Sequence, residues 1–309
     1  MNQPTGGHWP VLVRDVETWL TPVIERRWID CTIGLGGHAR ALFERAPAVV
    51  RLLALDVDEE NLAAAISNLD AYRDRVDAVC GNFRDLGDIL SRHGIEPADA
   101  ILADLGFSSN QVADPGRGLS FELDGPLDMR LDRTLRTTAA DLVNRLGEKQ
   151  LADLLYFESQ EPFSRRISKL ICRARRDARI TTTSQLAAIV TRAVGGRRGR
   201  LHPATRTFLA LRAAVNREGE ALDELLAAAP AALRPGGRIA IISFHSGEDR
   251  RVKESFRRNA RLGVYRLLTR SPVTADDEEA SANPRSRSAK LRVAERTDVP
   301  LSEVSAETR

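Results

Sequence analysis

Trp28-Ile29-Asp30-Cys31-Thr32-Ile33-Gly34-Leu35-Gly36-Gly37-His38 is the stretch whose reading decides the fold. A short apolar run, a turn of glycines and a helical stretch over 39–45 together form the opening of a nucleotide-binding βαβ unit. Glycine in such a turn permits positive φ and lets the main chain approach a ligand, while the helix start leaves N–H donors free. Gly34 and Gly36 fill the first two places of G-x-G-x-x-G, but the third is Ala39. The turn therefore suits the carboxylate of an amino-acid-like ligand at least as well as a pyrophosphate.

Outward from this turn the α/β rhythm continues. A second strand over 51–55 stops at Asp56 and is followed by a helix over 61–69; a third over 76–80 leads to Gly81-Asn82-Phe83; a fourth over 100–103 stops at Asp104. Open α/β sheets bind ligands in the crevice beyond the strands' carboxyl ends, so these three terminal residues are candidates for a site. Asp56 can accept ribose hydroxyls or cap the helix that follows it. Phe83 can stack on a base or belong to the core. A ribose, a base and an amino-acid moiety together describe S-adenosylmethionine. His38, at a helix start, is expected to be neutral, as a donor to an anion or in a packing role. His245 ends a fifth strand, His93 belongs to the surface, and the histidine spacing makes no metal site. After Asp104 comes a loop rich in Gly, Ser, Asn and Pro, through 131, that no packing requirement seen in the sequence explains; it reads as active-site wall.

From 137 to 194 the pattern is helical, with Leu142, Leu146, Leu151 and Leu155, then Ile167, Leu170, Ile171 and Ala174, at helical spacing. Residues 181–184 read as a helix start and 195–200 as a basic loop. Helices over 203–218 and up to 233, and a strand over 238–243, restore the alternation. Beyond Arg250 come a basic helix, a strand over 264–268, a polar loop over 271–287 and a strand over 289–294. The expected architecture is a Rossmann-like domain in two parts, 1–115 and 206–296, a mainly helical insert at 116–205 and a disordered tail at 297–309.

Charge marks the same insert. Between Ser164 and Arg206 twelve Lys or Arg stand against one acid, Asp177, a net +11 in a chain of +3 overall, so the remainder carries −8. Neutralising phosphates releases counterions, so Arg165, Arg166, Arg173, Arg175, Arg197, Arg198 and Arg200 are candidate contacts to a polyanion; a solvated helix face is the alternative. Three scattered cysteines give neither a disulfide framework nor a zinc site. With no apolar run of membrane length and no basic-then-apolar leader, a cytoplasmic protein without membrane contact is expected. The reading leaves a homodimer open.

In order along the chain, His8-Trp-Pro-Val-Leu12, Asp104-Leu-Gly-Phe-Ser-Ser109 with Gln111, Gly125-Pro-Leu-Asp-Met-Arg130, His202-Pro-Ala-Thr-Arg206, Ser243-Phe-His-Ser246 with Glu248-Asp-Arg250, and Asn283-Pro-Arg-Ser-Arg-Ser-Ala-Lys-Leu-Arg292 closely resemble the ribosomal RNA small subunit methyltransferase H, or MraW, family. The resemblance implies a class I S-adenosylmethionine-dependent methyltransferase domain with an inserted helical substrate domain. It implies methylation of the exocyclic N4 of a cytidine in the decoding region of 16S ribosomal RNA, with that RNA or the assembled small subunit as partner. It assigns cofactor contacts to Gly36, Gly37, His38, Asp56, Phe83, Asp104 and Gln111. Departures at Gly247, Leu209 and Glu158-Ser-Gln-Glu161 touch the substrate side.

The cytosine amine is a poor nucleophile because its lone pair is delocalised into the ring, and transfer needs an acceptor for its N–H as the new bond forms. Asp104 or the Leu105 carbonyl is the expected acceptor, with Phe107 packed near the base; a purely positional role for Asp104 is the alternative. A cofactor-sensing RNA-binding factor without turnover would need nothing at 104–111. A nicotinamide-dependent dehydrogenase fails on the third glycine and the basic insert, and chemistry alone does not exclude a DNA amino-methyltransferase.

Overall fold

The computed structural model describes residues 10–196 and 202–302. They fall into two compact units, one from Met1–Gly106 with Glu220–Arg309 and one from Phe107–Gly219. The insert expected at 116–205 lies within the second.

The first unit is built on a seven-stranded sheet: β1 (Arg27–Asp30), β2 (Arg51–Asp56), β3 (Val76–Cys80), β4 (Ala98–Asp104), β5 (Leu233–Ser243), β6 (Tyr265–Leu267) and β7 (Lys290–Arg296), in the order β3-β2-β1-β4-β5-β7-β6. Strands β1 to β5 are parallel, and β7 runs antiparallel to both β5 and β6. The strand order reverses between β1 and β4, where a crevice opens in such sheets. Helices α1 (Val13–Leu20), α2 (Gly37–Arg45) and α3 (Glu59–Asn68) bury Leu20, Leu42 and Leu62 against Trp28, Leu52 and Leu102. Helix α4 (Leu86–Arg92) packs Leu86 and Ile89 among Ile29, Leu53 and Ile101, the alternate residues of the same strands. Both faces are covered, and this is why the strands read as unbroken apolar runs rather than alternating ones.

The second unit is helical: α5 (Ser109–Ala113), α6 (Ala139–Arg145), α7 (Glu148–Ser159), α8 (Ser164–Asp177), α9 (Thr183–Val194) and α10 (Thr205–Asn216). Its core holds Leu151, Leu155, Ile167, Ile171, Leu186 and Phe208. The Thr-rich start at 181–184 is a capping box, with Thr182 accepting from the Gln185 N–H. The loop through 131 needs correction: packing does explain it. A Cβ on Gly118 would collide with the Pro126 carbonyl, and one on Gly125 with the Pro115 carbonyl. Leu127 and Met129 are buried, and the Asn216 side chain accepts from the Leu131 N–H and donates to the Met129 carbonyl, each at 2.8 Å. The glycines permit backbone to lie on backbone, a requirement that no local pattern announces.

Helix α11 (Glu218–Ala232) leads back to β5, and α12 (Ser246–Arg261) follows it. The stretch 271–287, expected as loop, contains α13 (Asp277–Ala282), capped by Asp276 accepting from the Glu279 N–H at 2.8 Å, and a 3-10 turn, Pro284–Ser288. The expected tail is fixed at its start: Thr297 Oγ1 donates to the Gly263 carbonyl at 2.6 Å and Arg296 to the Val299 carbonyl at 2.6 Å. Residues 303–309 lie outside the described residues. No helix among the described residues is long and apolar enough to cross a membrane.

Candidate active site

At the carboxyl ends of β1, β2 and β4 the first unit gathers three carboxylates, Asp30, Asp56 and Asp104, around the glycine turn. Gly36 sits at φ +82°, in the left-handed region, and hands the chain to α2. A Cβ on Gly37 would lie 2.9 Å from Pro10 Cγ, so the glycine makes room for the segment that crosses above it. His38 is buried, and its Nε2 donates to the Val11 carbonyl at 2.8 Å. Burial lowers its pKa, so the ring is neutral, with Nδ1 3.7 Å from Asp104 Oδ2. His38 thus donates to a main-chain carbonyl rather than to an anion, with the Asp104 carboxyl beyond reach of a hydrogen bond.

Asp56 does not cap α3; Asp58 does, accepting from the Glu60 N–H at 3.0 Å. Asp56 instead holds the turn. Its Oδ2 accepts from Gly34 N at 2.9 Å and Asn61 Nδ2 at 3.3 Å, and its Oδ1 accepts from Asp58 N at 2.9 Å. An ionised carboxylate offers about four acceptor positions, so these bonds leave one, enough for one ribose hydroxyl rather than a pair. Burial pushes its pKa up to about 6 against the pull of those donors.

Asp104 differs. Its N–H donates to Thr32 Oγ1 at 2.7 Å, which fixes the backbone, but Oδ1 is buried with no hydrogen-bond partner. Burial raises its pKa to about 7, the Arg285 charge opposes the rise and Glu248 adds to it. Asp30 is likewise pushed up to about 7, first by burial and then by the charges of Asp104 and Asp56, against the pull of His38 and the Thr32 N–H. A glycine turn, a neutral buried imidazole and a carboxyl with one oxygen lacking a donor make an electron-rich set at the strand ends. It fits the group that the resemblance implies, a ligand carrying ammonium and sulfonium charge with hydroxyls to donate.

Phe83 opens a 3-10 turn, Phe83–Asp85, half-buried against the core face shared with α4. Phe107 and Gln111 belong to the second unit. One face of the Phe107 ring is covered by the Arg212 guanidinium, 4.6 Å from its centroid. Gln111 is buried, and its Oε1 accepts from the Ser108 N–H at 3.0 Å, completing the capping box of α5. His245 caps α12, its Nδ1 accepting from Gly247 N at 3.2 Å and Glu248 N at 3.4 Å.

Sequence reasoning missed Asp30 and Arg285. Asp30 carries the signal that revealed Asp56 and Asp104, an apolar strand stopping at a carboxylate, but the glycine turn two residues on drew the reading past it. Arg285 stands in the stretch taken for loop. Of the candidate phosphate contacts, Arg165, Arg166 and Arg173 are exposed on α8, opposite buried Ile167 and Ile171. Arg175 is half-buried and donates to the Val143 carbonyl at 2.6 Å, tying α8 to α6. Arg197, Arg198 and Arg200 lie outside the described residues.

The model of the MraW methylase family matches residues 5–297. Ribosomal RNA small subunit methyltransferase H of Thermomicrobium roseum is 47% identical over 304 residues, covering 94% of this chain and 93% of its own. Its namesake from Sorangium cellulosum is 47% identical over 290 residues, covering 94% and 90%, and that from Cyanothece sp. is 46% identical over 296 residues, covering 96% and 97%. The resemblance read from the short motifs therefore extends along nearly the whole chain, which belongs to the MraW methylase family.

Proposed function

We propose that this protein methylates the exocyclic N4 of a cytidine in the decoding region of small-subunit ribosomal RNA, with S-adenosylmethionine as donor. The observation that carries the reading is Asp104, at the end of β4 next to the strand-order reversal, with a buried carboxyl oxygen that no donor satisfies. An unsatisfied buried acceptor beside a ligand crevice is the residue expected to meet a substrate N–H.

When bound, S-adenosylmethionine supplies an electrophilic methyl group. The glycine turn lets main-chain N–H groups approach the ligand, and Asp56, already fixed by three donors, presents its remaining acceptor position to a hydroxyl. Neutral His38 adds no positive charge beside a cationic ligand. Asp104 accepts a hydrogen bond from the amine, so that the nitrogen lone pair localises as the nitrogen–methyl bond forms and the methyl–sulfur bond breaks, with S-adenosylhomocysteine as the leaving group, and the amine proton then passes to the same carboxylate or to water. Gln111 keeps the cofactor contact that the resemblance gives it, and Phe107 keeps the place near the base expected from the sequence. Arg165, Arg166 and Arg173 contact phosphates, and Arg175 serves the fold instead. The substrate is the RNA alone or within the small subunit, and the reaction belongs in the cytoplasm.

Incubation with labelled S-adenosylmethionine and small subunits that lack the modification, followed by digestion, should release labelled N4-methylcytidine. A different methylated nucleoside, or none, overturns the reading.

A further inference from the structure

We propose that Tyr156 and Phe157 form a stacking platform for unpaired bases of the RNA strand whose phosphates follow α8, an inference that rests on the RNA reading above. Tyr156 and Phe157 are 54% and 73% exposed, the most exposed aromatic side chains among the described residues. Helix α7 does not need them for packing, since Leu151, Ala152 and Leu155 already supply its buried face. The two rings meet edge to face, with centroids 5.5 Å apart and planes at 77°, so ring surface remains open to water. Two adjacent exposed rings make a contiguous apolar patch, the kind of surface that marks an interaction site.

The neighbouring charge says what the partner is. Gln160, at φ 53°, ends α7, and α8 begins at Ser164. The first turn of α8 carries Arg165 and Arg166 and no acid, the reverse of what a helix dipole favours. Arg166, Lys169, Arg173 and Arg176 continue along one exposed face at helical spacing, and among the described residues none of the four is in an ion pair. Open aromatic rings at the head of an uncompensated cationic stripe match the way single-stranded nucleic acids are held: charges follow the backbone and bases stack on rings. A second copy of this chain would bring the same positive stripe and be repelled.

The test compares a labelled single-stranded oligoribonucleotide with its fully paired duplex, titrated at several salt concentrations. Replacing both rings, Tyr156→Ala with Phe157→Ala, should weaken single-strand binding about tenfold or more while leaving the salt slope and duplex affinity unchanged. Phe157→Trp should retain affinity, with its added fluorescence quenched by the single strand. Arg166→Gln with Arg173→Gln should weaken both RNAs and flatten the salt slope. Wild-type single-strand affinity in the alanine pair, with the arginine pair impaired, overturns the platform and leaves the RNA reading standing; wild-type affinity in both pairs overturns both. A dimer that the alanine pair dissolves, with RNA affinity unchanged, makes the patch an interface between copies and likewise overturns the platform.

Discussion

Strand β4 carries a carboxylate near each end, and the two could hardly be treated more differently. Asp99, 2% exposed, accepts from the main-chain N–H groups of Glu25, Arg26 and Arg27 and is paired with the Arg234 guanidinium. Burial alone would raise its pKa, but Arg234 and these donors bring it below the ordinary 3.8. Asp104, five residues on, keeps a buried oxygen without a donor and a pKa pushed up to about 7. The same side chain is a rivet at the amino end of the sheet and an unfilled acceptor at the carboxyl end. Where the fold satisfies a buried carboxylate completely, the residue serves the fold; where it stops short, an acceptor is left over at the carboxyl end of the sheet, the end at which such sheets bind ligands.

The comparison can be broken at either end. The largest effect is expected from Asp104→Ala, which should lower kcat about 10²- to 10⁴-fold while weakening S-adenosylmethionine binding far less, because the lost contact forms mainly as the amine reacts. Single-turnover rates beside calorimetric affinities separate the two, and a rate loss fully accounted for by lost affinity would reduce Asp104 to a binding residue. Asp99→Ala should do the opposite: stability falls by about 3 kcal/mol, since three N–H groups and a guanidinium lose their acceptor, while cofactor affinity in the folded fraction holds. Denaturant melts that match wild type would remove the rivet.

Asp56 stands between the extremes and should show both effects. Asp56→Ala is expected to weaken cofactor binding by about 1 to 2 kcal/mol and also to lower stability, because Gly34 N and Asp58 N lose their acceptor. Full stability with weakened binding would show that the turn holds without it. The smallest effect is one of pH. Asp30, at about 7 when folded against 3.8 ordinarily, keeps its proton in the folded chain after the unfolded chain has lost it. Its contribution to stability therefore falls as pH rises from about 4 to about 7 and is constant above that. Asp99 has the reverse sign: its stabilisation is present above about pH 4 and is lost as pH falls through its lower folded value. Asp30→Asn should accordingly raise stability by about 1 kcal/mol more at about pH 6 than at about pH 5, read from melts of the ligand-free protein. Equal gains at both values would show that Asp30 titrates as an ordinary carboxylate.

Legibility in the sequence followed the same division. The parallel strands, the glycine turn and Asp56 and Asp104 could be read because a strand buried on both faces is a continuous apolar run, and a charge that ends it stands out. Asp99 could not: it stands just before such a run, where a polar residue is unremarkable, and its partners Glu25 to Arg27 and Arg234 are far away in sequence. Arg175 looks like any other arginine of its helix, and only the Val143 carbonyl distinguishes it. Gly118 and Gly125 serve contacts between segments that meet only in three dimensions. For α13 a signal was present, Asp276 three residues before Glu279 in the manner of a capping box, but it was outweighed by polar composition.

One contact sets an order of events. The Leu12 N–H, on a residue held at φ 53°, donates to Glu279 Oε1 at 2.7 Å across 267 positions of chain, and the segment so anchored carries Pro10 over Gly37 and Val11 onto His38. The edge of the glycine turn is therefore closed by an early segment and fastened by a residue made 267 positions later. β7, which completes the pairing of β5, is made later still. A nascent chain folds from its amino end as it emerges, but this clasp has nothing to grip until α13 has been translated. Such long-range closure is slow and is among the last contacts to form. Stalled or truncated products that lack α13 should carry the early strands and yet leave the turn uncovered, so competence to hold the methyl donor arrives all at once, when α13 has been made.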